Sequence, residues 1–283
     1  MDGTATRPVI AGMDGTQESL AALQWAAKEA VRRDTRLVLF HACQFEGPES
    51  RHPELPEDSE LLLEHVYRWN QHAAELARGI APGVEVELRI RLGFAPDLLL
   101  AESLTAALIV LGAHGLGGLR GALIGSVALT VAAKADCPVV VVRGRSRMRG
   151  PVVVGVDGSA SSEQALRFAL DAAVARGAPL DVLHAWHEAA FLRFGTRFLA
   201  RATAERRALE EQVAGWARKY PDLEITTDAV QDHKPSHALM RAVSGAQLIV
   251  IGSRGRGAVS GGLLGSTGND LLAHATCPVA IVH

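Results

Sequence analysis

The stretch GSRGRGAVSGGLLGS, residues 252–266, sets six glycines in fifteen positions directly after the apolar run QLIVI. GAHGLGGLRGALIGS, residues 112–126, follows ALIVL and matches it at seven of the fifteen, including Gly112/Gly252, Gly115/Gly255, Gly125/Gly265 and Ser126/Ser266. Glycine loses more backbone freedom on folding than any other residue, so such a cluster marks backbone at positive φ or the close approach of another group. Gly112 and Gly115, like Gly252 and Gly255, let the chain turn off a strand. Gly125-Ser126 and Gly265-Ser266 then lead into a helix, whose first N–H groups and positive dipole end favour an anion by about 0.3–1 kcal/mol per charge. Phosphate is the natural guest. Ser126 and Ser266 would add a hydroxyl donor, or serve as plain helix N-caps. Asp14 in GMDGT and Asp157 in GVDGS are the complementary acids. A carboxylate repels a polyphosphate but accepts from a pair of ribose hydroxyls; its structural alternative is to organise the start of the following helix.

These residues need elements to position them, and the chain supplies the same set twice. VIAGMDGT (9–16) returns as VVVGVDGS (152–159), LVLFHA (37–42) as LDVLHA (180–185), and CPVVVVR (137–143) as CPVAIVH (277–283). The offset falls from 143 to 140 along the repeat, a net deletion of three residues in the second copy. In the first copy, strand-like runs near 8–13, 36–42, 84–91, 108–112 and 138–143 alternate with helical patterns, the first with Leu20, Leu23, Ala27 and Val31 on one face. Continuous apolar strands separated by helices imply a parallel sheet covered on both faces. The expectation is an α/β chain of two tandem, doubly wound, five-stranded domains, residues 1–146 and 147–283, joined by the arginine-rich RGRSRMRG (143–150). With strand order 3-2-1-4-5, the loops after strands 1 and 4 face one crevice at the switch point.

Several other chemistries are excluded or disfavoured. No Gly-Lys pair occurs, so there is no Walker A loop, and neither GMDGT nor GVDGS supplies GxGxxG. Cys43, Cys137 and Cys277 have no CxxC spacing and read as small buried residues. His41 and His184 recur inside apolar strand ends, as hydrogen-bonded structural histidines would. His114 aligns with Arg254, which suits phosphate contact better than proton transfer. His52, His65 and His72 form no ligand set, so no structural metal is expected. The formal net charge of −2 with dispersed basic residues speaks against nucleic acid and anionic membranes. Without a signal-peptide pattern or a run of ~20 apolar residues, a cytoplasmic location is expected.

An aspartate ending strand 1, G-x2-G-x9-G-S after strand 4 and a closing CPV together resemble the universal stress protein family over the whole chain. That resemblance implies a Rossmann-like 3-2-1-4-5 sheet in each copy, ATP in each crevice with Mg²⁺ as its companion, dimeric association, and a regulatory role in stress or dormancy with little dedicated catalysis. It implies Asp14, Gly112, Gly115, Gly125, Ser126 and the backbone of Val127 at a first site, with Ala42 bordering the adenine. Asp157, Gly252, Gly255, Gly265, Ser266 and Thr267 would form the second, with Ala185 in the place of Ala42.

The second copy departs where RLGFAPD becomes VQDHKPSH, losing Gly93 and gaining Asp232, His233 and Lys234, and where Gly268 replaces Ala128. The expected function is an ATP-binding regulatory module that acts on an unidentified protein partner. The alternative, a slow ATPase or nucleotide hydrolase in the same crevice, finds no carboxylate–histidine or nucleophile–base pair to support it. The apolar fifth strands, 138–143 and 278–282, lie at sheet edges in this order and invite pairing with each other as an intrachain pseudo-dimer. A homodimer would then use further surfaces.

Overall fold

The structure, a computed structural model, describes residues 6–44, 59–115, 123–143, 149–187, 196–255 and 264–283. The middles of both glycine loops, His52 and most of RGRSRMRG lie outside the described residues. The chain divides into two compact units, Met1–Val142 and Arg143–His283.

In the first unit the elements run β1 (Val9–Met13), α1 (Gln17–Arg32), β2 (Leu37–Cys43), α2 (Ser59–Ile80), β3 (Val86–Leu92), α3 (Ala95–Ser103), β4 (Leu108–Gly112), α4 (Ser126–Lys134) and β5 (Val139–Val142). The strands lie in the order β3-β2-β1-β4-β5, and every neighbouring pair is parallel. The second unit repeats this with β6 (Val152–Val156), α5 (Ala160–Arg176), β7 (Leu180–Trp186), α6 (Thr196–Lys219), β8 (Ile225–Gln231), α7 (Pro235–Ala242), β9 (Leu248–Gly252), α8 (Ser266–His274) and β10 (Val279–Val282). Its order is β8-β7-β6-β9-β10, again parallel throughout. Each unit is thus the expected doubly wound α/β sheet.

Burial explains the near-continuous apolar strands. Val9, Ile10 and Ala11 of β1 and Val139, Val140 and Val141 of β5 are fully buried because helices cover both faces of the sheet. On α1 the inner stripe is Ser19, Ala22, Leu23, Ala26, Ala27 and Ala30, the i, i+3, i+4, i+7 pattern of a helix face. The expectation that placed Val31 inward fails: it is 46% exposed, while Leu23 and Ala27 are fully buried. A stripe of small residues lets α1 lie close on the sheet, and that closeness, more than side-chain bulk, chose the face.

The elements also resolve the change in repeat offset. β1 and β2 precede their counterparts by 143 residues, β3 by 139, and β4 and β5 by 140. The net loss of three is therefore four residues removed between the second and third strands and one added before the fourth. Cys43, Cys137 and Cys277 are buried free thiols, and burial pushes the Cys137 thiol up to about 12. No described helix is long and apolar enough to cross a membrane.

Candidate functional site

The first site begins where β1 ends. Asp14 leaves the strand and Gly15 takes φ 87, a left-handed value that favours glycine. Thr16 then caps α1, its hydroxyl accepting from Ser19 N at 3.1 Å. The Asp14 carboxylate does not cap the helix. Its Oδ1 instead accepts from Thr16 N at 3.0 Å and from Thr16 Oγ1 at 2.7 Å, an Asx turn that fixes the carboxylate against the strand end. The second unit builds the same corner, with Gly158 at φ 77, Ser159 capping α5, and Asp157 Oδ1 accepting from Ser159 N at 3.0 Å.

The opposite wall comes from the fourth strand and the helix after it, and the glycines there have distinct duties. None of the site glycines lies at positive φ. A Cβ on Gly112 would stand 2.7 Å from the backbone carbon of Glu18, so this glycine lets the strand end pass beneath α1. Gly252 does the same against Ser161, whose backbone carbon would be 2.8 Å away. These two serve packing between elements more than the turn that sequence suggests. Gly115 and Gly255 instead lie against the acids: a Cβ would fall 2.6 Å from Asp14 Oδ2 and 2.7 Å from Asp157 Oδ2.

Gly125 and Gly265 are themselves the N-caps of α4 and α8, and neither helix has a side-chain cap. Ser126 and Ser266 are the first helical residues, so the N-cap alternative for these serines fails. The N–H groups of Ser126, Val127 and Ala128, and of Ser266, Thr267 and Gly268, donate to no described residue. Two uncapped helix starts therefore open toward two acids. A cavity of about 480 Å³ in the first unit is lined by Asp14, Ala42, Gly112, Gly115, Gly125, Ser126 and Val127 together. One of about 470 Å³ in the second is lined by Asp157, Ala185, Gly252, Gly255, Gly265, Ser266 and Thr267. Both fall within the roughly 300–1,000 Å³ usual for small-molecule sites. His114 lines the first and its counterpart Arg254 the second. The Arg254 carbonyl is held from α5, accepting from Ser161 Oγ and, at 3.4 Å, from Ser159 Oγ.

The family model for universal stress proteins matches residues 5–143 and again residues 148–283. The chain belongs to the universal stress protein family. Over 283 residues it is 33% identical to a universal stress protein of Mycolicibacterium smegmatis, covering 97% of this chain and 96% of that one. Over 297 residues it is 34% identical to one from Mycobacterium tuberculosis H37Rv, covering 99% and 97%. Among solved structures, a universal stress protein from Archaeoglobus fulgidus superposes with a TM-score of 0.71 over 97% of both chains, at 20% identity, which bears on the fold alone.

Within this universal stress protein the two departures of the second copy have local explanations. Asp232 takes the place of Gly93 with a changed backbone, Gly93 lying at φ 141 and Asp232 not at positive φ, yet both donate their N–H to the end of the neighbouring strand, Gly93 to Cys43 O at 2.9 Å and Asp232 to Trp186 O at 3.0 Å. The Asp232 carboxyl is held below its ordinary range by the Lys234 N–H and by Arg241. Gly268 makes room for Leu264, which is 6% exposed and whose Cγ would lie 2.9 Å from a Cβ there.

The remaining lining was missed by sequence reasoning. Phe40, Ala95 and Leu99 give the first cavity an apolar side. Trp186, His187, Arg201 and Glu205 give the second a polar one. Nothing in the sequence of α6 distinguishes Arg201 and Glu205 from its other surface charges. Ser19 and Ser162 were legible, because both recur at the repeat offset of 143. Each returns a hydroxyl bond of 2.9 Å to its cap residue's carbonyl.

Proposed function

We propose that this universal stress protein binds ATP in both crevices and acts as a regulatory module in a stress or dormancy response, with occupancy as its output. The observation that carries this is Gly265. Its φ of −59 suits any residue, and a Cβ there would meet the described chain only at an ordinary 3.7 Å, from Ser253 O. Nothing in the described fold demands glycine at the start of α8, whereas in the first copy a Cβ on Gly125 would also crowd the Ala113 carbonyl at 3.3 Å. An incoming group that must approach the backbone closely accounts for Gly265.

The residues present fit a nucleoside triphosphate. ATP would bring an anionic triphosphate, its Mg²⁺ and a ribose with paired hydroxyls. The unpaired N–H groups at the starts of α4 and α8 suit phosphate oxygens. Asp14 and Asp157, fixed on the far side, suit ribose hydroxyls, and the small Ala42 and Ala185 leave room for a base. In the second crevice Glu205 and His184 approach only to 3.6 Å, longer than a hydrogen bond, and we infer binding rather than turnover. On this reading the protein works with ATP, a second copy of the chain and a regulatory partner.

The test is mass spectrometry of the nucleotide released when freshly purified protein is denatured, paired with calorimetric titration. ATP is expected, with binding lost at each altered site in Gly125→Glu and Gly265→Glu. Unchanged ATP stoichiometry in the double variant would overturn the site assignment. Steady phosphate release beyond one per site, abolished in that variant, would make the protein an ATPase instead.

A further inference from the structure

His41 and His184 hold the same place on β2 and β7, five residues into each strand, yet they hydrogen bond in opposite senses. Asn70 Nδ2, on α2, donates to Val66 O at 2.8 Å, which fixes the amide orientation, and lies 3.0 Å from His41 Nδ1. His41 Nδ1 must therefore accept, and the ring proton sits on Nε2. His184 Nδ1 lies 2.8 Å from Val156 O, a group that only accepts, so His184 Nδ1 must donate. The neutral ring then offers its Nε2 as a lone pair.

That lone pair faces a carboxylate. Glu205 Oε2 lies 3.6 Å from His184 Nε2, too far for a hydrogen bond, and neither atom has a hydrogen-bond partner among the described residues. Arg201 holds the other oxygen, Oε1, at 3.0 Å, which fixes the carboxylate and offsets its charge. His184, Glu205 and Arg201 all line the second cavity, beside Ala185. The first unit has no such pair among its described residues: five residues lie between the end of α2 and the start of β3, as they do between α6 and β8, and this spacing sets Val66 opposite Glu205 and Asn70 opposite Leu209.

We propose that His184 Nε2 and Glu205 Oε2 form a base-reading subsite peculiar to the second crevice, one that selects a nucleotide whose base carries an exocyclic amino group. When the ring is neutral these are two acceptors 3.6 Å apart, and a single –NH₂ placed between them has the two N–H groups needed to reach both. Adenine presents that group at its six-position. Hypoxanthine presents a carbonyl oxygen there and would bring a third acceptor to the gap. This inference rests on the crevice being a nucleotide site. It makes the two halves unequal: the second discriminates ATP from inosine triphosphate through this pair, and the first lacks it.

The experiment uses the full chain carrying Gly125→Glu, which leaves the second site, and measures ATP and inosine triphosphate by calorimetry at pH 8. ATP should bind at least about tenfold more tightly, the scale of one hydrogen bond to a charged group. Adding Glu205→Val, the residue of the first copy, should collapse that ratio toward one. Glu205→Gln keeps the size of the side chain but supplies an amide that can donate, and should shift preference toward inosine triphosphate. A ratio that survives both changes, or two nucleotides weakened alike, would mean that His184 and Glu205 serve only each other, and the proposal fails while the nucleotide site stands. Absence of any nucleotide binding would instead remove the site, and the subsite with it.

Discussion

Replacing Gly115 by alanine isolates the acid of the first site without touching its side chain. Gly115 is not at positive φ, so the backbone accepts alanine. The new Cβ, however, would stand 2.6 Å from Asp14 Oδ2, about 0.8 Å inside ordinary contact. The carboxylate must swing away, carrying Oδ1 off Thr16 N at 3.0 Å and Thr16 Oγ1 at 2.7 Å. Asp14 is only half-buried, so water replaces part of what is lost and the fold should weaken by no more than about 1 kcal/mol. A ribose hydroxyl bonded to that carboxylate would lose about 1.5–3 kcal/mol, roughly 10- to 150-fold in Kd. Calorimetry with ATP and 2′-deoxy-ATP, alongside a thermal melt, reads both effects. ATP should suffer more than the deoxy form in Gly115→Ala and in Asp14→Ala, and Gly255→Ala should repeat the pattern at the second site against Asp157. Native ATP affinity in Gly115→Ala, or equal losses for the two nucleotides, would refute the ribose role and leave Asp14 as a turn-forming residue.

Two further outcomes follow from packing and charge. Gly112→Ala places a Cβ 2.7 Å from the Glu18 backbone; a main chain cannot step aside as a side-chain tip can, so about 1–3 kcal/mol of stability should be lost by urea unfolding, and an unchanged midpoint would show that α1 is not seated on that glycine. Burial lowers the His41 pKa below 6.5 despite Asp14 and Asn70 pulling the other way. The unfolded chain thus takes up a proton first, and urea unfolding should show stability falling as pH drops below about 6.5 and on through the lower folded value, with a flatter acid limb in His41→Asn.

The duplication, the strand–helix alternation and both crevices were legible in the sequence because they rest on local chemistry. Apolar runs such as VVVV at 139–142 must be buried on both faces. Asp-Gly after a strand makes a tight turn whatever surrounds it, and a helix that opens on glycine is left without a side-chain cap. A repeated sequence must also fold the same way twice, so Ala42 and Ala185 arrive at matching places without any knowledge of the sheet. The division of labour among the glycines was not legible. Gly112, Gly115 and Gly125 look alike in sequence, and only the atoms brought opposite them, the Glu18 main chain, the Asp14 carboxylate and the Ala113 carbonyl, say which one packs, which one crowds an acid and which one caps. The face of α1 went the same way, since Val31 is as apolar as any residue on the helix and lost its place to alanines that allow a closer approach. Glu205 shows the limit most plainly. Charge on a helix surface is cheap anywhere, and it takes on meaning only because the fold of the second unit carries one such carboxylate over the end of β7, 3.6 Å from a histidine whose other nitrogen is already committed.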